Sequence, residues 1–500
     1  VTDSGTLHVA PARWLAAFAA LALAAVGAAV GMRLAGYADG LLDLPQAARY
    51  VDALTGSPLA GVVGVAVLAA ALMVGWRVPM ASLYVVALLV PFQFVGGAIE
   101  ARGGVTLPKV ILNLALVWSI VVALLRRWGS LRAILGTALG KAYAVFLGFV
   151  LLGVAVGAFE GYPRFHWLRE SNWYLFYALA LAVMLIVTRW MDVARLIVVL
   201  GIGSLLAQLD AFRFFAVGQR TQRDDIAEFF RAPFSQTASW LLMLTLALGV
   251  FAWARGTRLR SAGWLVAAGI LALGSFLSFG RAEWAATVVG VVITLGLVVR
   301  AGAVRATGYA VALLAAGVIG LGAAVTALTG RDLLATLDVA RLFAGALVGG
   351  SDVSATGRMA ENRSALVTWT EQPLGAGLGA PYIRVPVMDQ DPENPYYIHD
   401  SYANMLVKLG PFGLAAFIAL LVLTTRAAWH AVRASPPGSA RQAVAVSLLA
   451  ATVKAAGLSF VVPVLSTSDA VLHIAFVIGF VAVLQPGGAA ADGGPRRVTP

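Results

Sequence analysis

Apolar residues run in long unbroken stretches along this chain, with polar residues gathered into short clusters between them. A membrane-spanning helix needs about 20 apolar residues in a row. Stretches of that kind occupy 12–35, 58–76, 80–98, 108–125, 141–159, 171–188, 192–210, 237–254, 262–280, 283–299, 307–329, 403–425, 441–460 and 469–485. The pattern predicts an all-α polytopic membrane protein with about fourteen transmembrane helices. Of these, 80–98 and 441–460 contain the most polar or small residues. The stretch from Trp14 to Val30 lies between Arg13 and Arg33 and lacks a clear small-residue cleavage site, so it is expected to be a first span and not a removed signal.

Composition agrees with a lipid-solvated chain. Hydrophobic residues make up 60% of the 500 and charged residues 12%, and the mean hydropathy is +0.86. A soluble domain has about 25% charged residues. Cysteine is absent, which excludes disulfides, thiolate nucleophiles and cysteine metal sites. The formal net charge is +12. On a membrane protein this excess first reads as arginines that orient the helices, and nucleic acid is not an expected partner.

The arginines alternate from one side to the other. With the N-terminus in the cytoplasm, the inner loops and adjoining helix ends hold Arg77; Arg126, Arg127 and Arg132; Arg189 and Arg195; Arg255, Arg258 and Arg260; Arg300 and Arg305; and Arg426, Arg433 and Arg441. Arg496 and Arg497 lie in the tail, also inside. This is the positive-inside pattern. It divides the chain into 1–329 (helices 1–11, with an external arginine loop at 211–236), a large external loop at 330–402, and 403–500 (helices 12–14 and a cytoplasmic tail).

The outer loops hold the candidate chemistry. The first has Arg213, Arg220, Arg223 and Arg231, and the second has Arg331, Arg341, Arg358, Arg363 and Arg384. Guanidinium forks suit phosphate, whereas Asp224, Asp225 and Glu228 could equally pair with them as solvated charge. In "SFLSFGRAEWAA", Arg281 and Glu283 fall in a tight turn between two spans. A charge at that depth is paired or faces a polar cavity, and an Arg281–Glu283 ion pair is the structural alternative. Between Gly357 and Thr370 the spacing predicts an amphipathic helix. Met359, Leu366, Val367 and Trp369 are expected on the membrane surface, Glu361, Ser364 and Thr368 on the opposite face, and Arg358 and Arg363 on or beside the apolar side. Pro373 ends that helix. "GAGLGA" follows with no preceding strand, so it is not a dinucleotide fingerprint; its glycines allow close backbone approach to a substrate or to another helix. "NPYYIHDSYANMLVKLGPFGL" then brings His399, Asp400 and Tyr402 to the mouth of the next span.

Together, "TEQPLGAGLGA", "HDSYANMLVKLGPFGL", the Arg281 turn and the arginine-bearing helix resemble the O-antigen ligase and O-antigen polymerase superfamily of bacterial membrane glycosyltransferases. The likeness covers roughly 270–425. It implies transfer of a glycan from a polyprenyl (undecaprenyl) diphosphate carrier to a sugar hydroxyl, at the periplasmic face of the inner membrane, in lipopolysaccharide or cell-envelope polysaccharide synthesis. The acceptor is a lipid A-core sugar in ligases and another lipid-linked repeat unit in polymerases, where a chain-length regulator would be a partner. No nucleotide sugar, metal or other cofactor is implied. By resemblance Arg281, Arg358 and His399 are the catalytic residues. Arg213, Arg220, Arg223, Arg363, Glu283, Asp400 and Tyr402 are substrate-binding candidates. Asn404 stands where the ligase subgroup has glycine, and Asp400 where asparagine is common. Both weaken the ligase assignment and leave the superfamily intact; the expected role is repeat-unit polymerase, with O-antigen ligase as the alternative.

A lipid-diphosphate leaving group needs its developing charge neutralised and a hydroxyl positioned for attack. Arginines serve the first need. His399 is suited to take the hydroxyl proton or to hold the hydroxyl; the alternative is that it only caps the following helix. His166 sits among aromatics in "YPRFHW", where contact with sugar rings is expected. A flippase would be expected to show repeat symmetry and charges at the midplane, and a prenyl-diphosphate phosphatase a compact acid-histidine-arginine signature. Neither is evident.

Overall fold

A computed structural model describes residues 69–94, 107–221, 235–277, 281–313, 315–316, 353–386, 395–460 and 468–485. All regular structure among them is helical. In chain order the helices are α1 (Ala69–Arg77), α2 (Pro79–Leu89), α3 (Leu107–Gly136), α4 (Ala138–Phe159), α5 (Arg164–Leu175), α6 (Leu179–Ile186), α7 (Trp190–Thr221), α8 (Gln236–Ala254), α9 (Arg258–Leu277) and α10 (Arg281–Arg300). Next come α11 (304–313), α12 (Val353–Glu371), α13 (Ser401–Ala434), α14 (Ala440–Leu458) and α15 (Ser468–Leu484).

Six described helices are long and apolar enough to cross a membrane: Ile111–Gly136, Ala138–Phe159, Trp190–Leu209, Gln236–Ala254, Ala282–Arg300 and Ser401–Ala434. The expected spans at 262–280, 441–460 and 469–485 form α9, α14 and α15, which are not among these six, and 12–35 and most of 307–329 lie outside the described residues. Three further differences are local. The stretches 58–76 and 80–98 meet at Val78, where α1 and α2 are bent by 115°. Pro79 is the cause: it stands at the start of α2, and Val78 before it is driven to φ −126°, ψ 82°. The stretch 171–188 is not one helix. Polar α5 ends at Leu175, a 3₁₀ turn covers Phe176–Ala178, and α6 has only 8 residues. Nearly every α6 side chain is buried, so its apolarity marks protein core and not lipid contact. Finally, α7 continues to Thr221, so the first part of the expected loop 211–236 is helix.

The two ends of the bundle differ in chemistry. At one end the Arg255 guanidinium donates to the Gly438 carbonyl, Arg441 Nη2 donates to the Leu484 carbonyl at 3.3 Å, and Arg300 and Arg433 lie 5.6 and 5.3 Å from the Trp429 ring. These arginines come from loops expected to be cytoplasmic. At the other end the starts of α8, α10 and α13 meet the end of α14. The Ser401 N–H donates to the Ser459 carbonyl (2.9 Å), and Lys454 pairs with Glu283 and donates to Gln236 Oε1 at 2.9 Å.

This arrangement makes sidedness testable on a cysteine-free background. Gln390→Cys should react with a membrane-impermeant maleimide added to intact cells. Ala434→Cys, exposed at the arginine end, should react only after the membrane is opened. The reverse labelling would overturn the orientation.

Candidate functional site

The site begins with a break in α13. Gly410 sits at φ 72°, ψ 178°, and Pro411 follows inside the helix. Proline has no N–H, so the Val407 carbonyl loses its helical donor. A segment from elsewhere takes over: Ala376 N–H donates to Val407 O (2.7 Å) and Gly377 N–H to Lys408 O (3.1 Å). Leu378 N–H donates to Gly153 O on α4 at 2.9 Å. The "GAGLGA" turn is therefore threaded between α4 and α13, backbone against backbone. At Gly377 (φ 84°) a Cβ would lie 2.7 Å from Gly157 N, so no side chain fits there. Of the two uses expected of these glycines, this is the close approach to other helices.

A buried ion pair closes the far end of the turn. Lys408 is completely buried and its Nζ lies 3.1 Å from the Glu170 carboxylate. It also donates to the Ala380 carbonyl, and Glu170 Oε2 accepts from Gly379 N–H at 2.6 Å. Lys408 lies 4.8 Å from the Tyr382 ring, and Tyr382 OH donates to Asn404 Oδ1 at 2.6 Å. Asn404, the departure from the ligase pattern, is thus tied into the loop.

Helix α12 supplies the next layer. Its polar residues Glu361, Ser364 and Thr368 recur at i, i+3 and i+7, on one face. That face points inward: all three are buried, while Met359 and Leu366 are 51% and 53% exposed. The buried face acts like a sheet edge. Val385 N–H donates to Ser364 Oγ (2.9 Å), and Ile383 N–H to Thr368 Oγ1 (2.8 Å). Alternate amides of an extended segment point the same way, which matches this spacing.

Glu361 holds His399. Its Oε2 accepts from the His399 backbone N–H at 2.9 Å and lies 2.8 Å from Nδ1, with Oε1 at 3.0 Å. The Glu361 side chain is 7% exposed and the His399 side chain 35%. A carboxylate on Nδ1 favours the tautomer with its proton there, leaving the Nε2 lone pair to accept. Tyr397 sets its ring edge-on to His399 at 5.2 Å. Its phenol is raised well above the usual range, first by burial and then by Glu361, and drawn back by Arg169 and Arg358. Those charges therefore act on the same phenol.

Asp400 has another job. Its Oδ1 accepts from the N–H groups of Tyr402 (2.8 Å) and Ala403 (3.0 Å), so Asp400, and not His399, caps α13. Burial lifts its carboxyl above the usual range, and the two amides pull it back. Tyr402 OH donates to Ala456 O at 2.8 Å, which ties it to α14.

The other candidates fall as follows. Arg358 is half-buried, three residues before Glu361, and Arg363 is exposed. Arg281 and Glu283 open α10 instead of lying in a turn. Glu283 pairs through Oε1 with Lys454 and accepts from Gln236 Nε2 at 2.8 Å through Oε2. The side chains of Arg281, Arg213 and Arg220, and all of Arg223 and Arg231, lie outside the described residues. Sequence reasoning passed over Glu170, Lys408 and Lys454. The signal was present for the lysines, because a lone lysine inside an apolar run must find a partner.

Residues 266–418 match the family model described as O-Antigen ligase. No curated protein matches the chain. The matched segment contains Arg281, Arg358, Glu361, the glycine turn, His399 and Lys408; Glu170, Arg169 and Lys454 lie outside it.

Proposed function

We propose that the chain is a metal-independent glycosyltransferase that moves a glycan from a polyprenyl diphosphate onto a sugar hydroxyl at the periplasmic face of the bacterial inner membrane, a reading supported by the match of residues 266–418 to the family model described as O-Antigen ligase. The observation that carries this reading is the Glu361 carboxylate on His399 Nδ1, which leaves Nε2 as the nitrogen to work with. In the step proposed, the acceptor hydroxyl oxygen attacks the anomeric carbon of the donor. The bond from that carbon to the phosphate oxygen breaks, the electron pair leaves with the lipid diphosphate, and the hydroxyl proton passes to His399 Nε2. Arg358 and Arg281 neutralise the leaving diphosphate.

Of the two acceptors, we favour another lipid-linked repeat unit, which makes the chain a surface-polysaccharide polymerase. Asp400 and Asn404 support this, since both depart from the ligase pattern. The second reading is a ligase acting on lipid A-core, which the description of the matching family favours.

Reconstitution with purified lipid-linked glycan tests both readings. Transfer releases free polyprenyl diphosphate, which a flippase does not. A ladder of longer lipid-linked glycans identifies a polymerase, and a product on lipid A-core a ligase. In the same assay, Arg358→Ala should reduce transfer at least tenfold, and Arg358→Lys should restore only part, because lysine offers a point charge in place of a fork. Full activity in a folded Arg358→Ala protein would remove Arg358 from the mechanism.

A further inference from the structure

A second cluster adjoins His399 and belongs to no part of the reaction described so far. On α5, His166 stacks on Tyr396 with ring centroids 3.6 Å apart and planes 6° from parallel. The Arg169 guanidinium lies 5.5 Å from the Phe165 ring and 5.1 Å from the Trp173 ring, and its Nη2 is 3.4 Å from His166 Nδ1. Tyr396 is three residues from His399, so their Cα atoms are at most roughly 11 Å apart.

Arg169 is the unusual member. Among the described residues it forms no salt bridge, and its Nε is buried with no hydrogen-bond partner. Glu170 acts on the Arg169 charge from the next position, but its oxygens are hydrogen-bonded to Gly379 and Lys408, which leaves a half-buried guanidinium with donors to spare for a ligand. Burial, Arg169 and Lys408 all lower the His166 pKa, so the stacked imidazole is neutral at neutral pH.

We propose that Arg169, His166 and Tyr396 form a saccharide subsite. It holds a sugar ring next to the reacting one, with the flat imidazole–phenol pair against the ring and Arg169 bonded to an oxygen on its edge. An apolar platform with a few placed donors is the composition of small-ligand sites generally. The inference rests on the glycosyl-transfer reading and names the part of the substrate that α5 would recognise. His166 and Arg169 lie outside the segment that matches the family, and Tyr396 lies within it.

Arg169 could instead meet the donor diphosphate, so the test uses two probes on full-length protein in nanodiscs: lipid-linked glycan purified from producing cells, and sugar-free farnesyl diphosphate. Arg169→Gln should weaken the glycan probe by roughly tenfold to a hundredfold, the range for a hydrogen bond to a charged group, and leave farnesyl diphosphate unchanged. His166→Ala should weaken the glycan probe as well, whereas His166→Phe, which keeps the flat ring, should bind it more tightly than His166→Ala does. Equal loss for both probes would assign Arg169 to the diphosphate and overturn the subsite. Unchanged affinity in folded Arg169→Gln and His166→Ala proteins would make the cluster structural and overturn it too. Because the readout is binding, the two readings fail separately. A wild-type protein that transfers nothing, while its α5 variants lose glycan affinity, sinks the transferase reading and supports the subsite.

Discussion

His399→Ala should lose transfer by roughly 10²–10⁴-fold, the usual contribution of a positioned general base, and still bind the lipid-linked donor. Glu361→Gln separates the base from its support. Glutamine can accept the His399 backbone N–H in place of the carboxylate, so the loop should stay folded. Its amide can also donate to Nδ1, which would move the ring proton to Nε2, where the base must be free. A loss on the order of 10²-fold or more is expected, because reversing the tautomer of a catalytic imidazole is severe. Initial rates with purified donor, together with donor affinity for each variant, check both results. A folded Glu361→Gln protein with wild-type rate would show that Glu361 only pins the backbone. Asp400→Asn should be nearly neutral in the same assay, because asparagine caps as well as aspartate.

Lys408→Met should destabilise the protein by about 3–5 kcal/mol, the cost of removing one partner from a buried ion pair. Glu170 would be left as a buried carboxylate with only the Gly379 amide to satisfy it, and the glycine turn would lose its anchor at Ala380. Thermal unfolding in detergent, followed by tryptophan fluorescence, measures the loss. The double variant Lys408→Met/Glu170→Gln should recover much of it, because a neutral glutamine still accepts from Gly379 without a bare charge. A single variant that melts with the wild type, or a double variant no better than the single, would show that the pair is not what holds the turn. The matter reaches function through geometry. The turn positions the chain between α12 and α13, and His399 lies at the end of that path.

Much of the organisation was legible in the amino-acid order because it depends on near neighbours. Apolar run length marked most of the helices. The i, i+3, i+7 spacing marked α12, and Pro373 marked its end. The alternating glycines at 375, 377 and 379 announced a backbone approach, although not its target. His399 stood out as an ionisable group at the mouth of a span. Local signals of this kind need only a helix period or a steric rule to be read.

What the tertiary structure decided involves partners far apart in sequence. The polar face of α12 could have faced water; it faces inward because the extended segment 381–386 and His399 have amides that need acceptors. The carbonyl freed by Pro411 could have been satisfied in several ways, and only the packing of α4 against α13 brings in Ala376. His399 was the candidate to cap α13 and Asp400 a candidate to bind substrate, yet the fold caps the helix with Asp400 while Glu361, 38 residues away, holds the imidazole. Glu283 looked like a partner for Arg281 two residues before it, yet its oxygens meet Lys454 and Gln236 across the bundle. Apolar run length also failed where burial in protein resembles burial in lipid, as in α6. One-dimensional hydropathy reports that a side chain avoids water. Whether protein or lipid surrounds it, and which distant charge pairs with it, depends on three-dimensional packing.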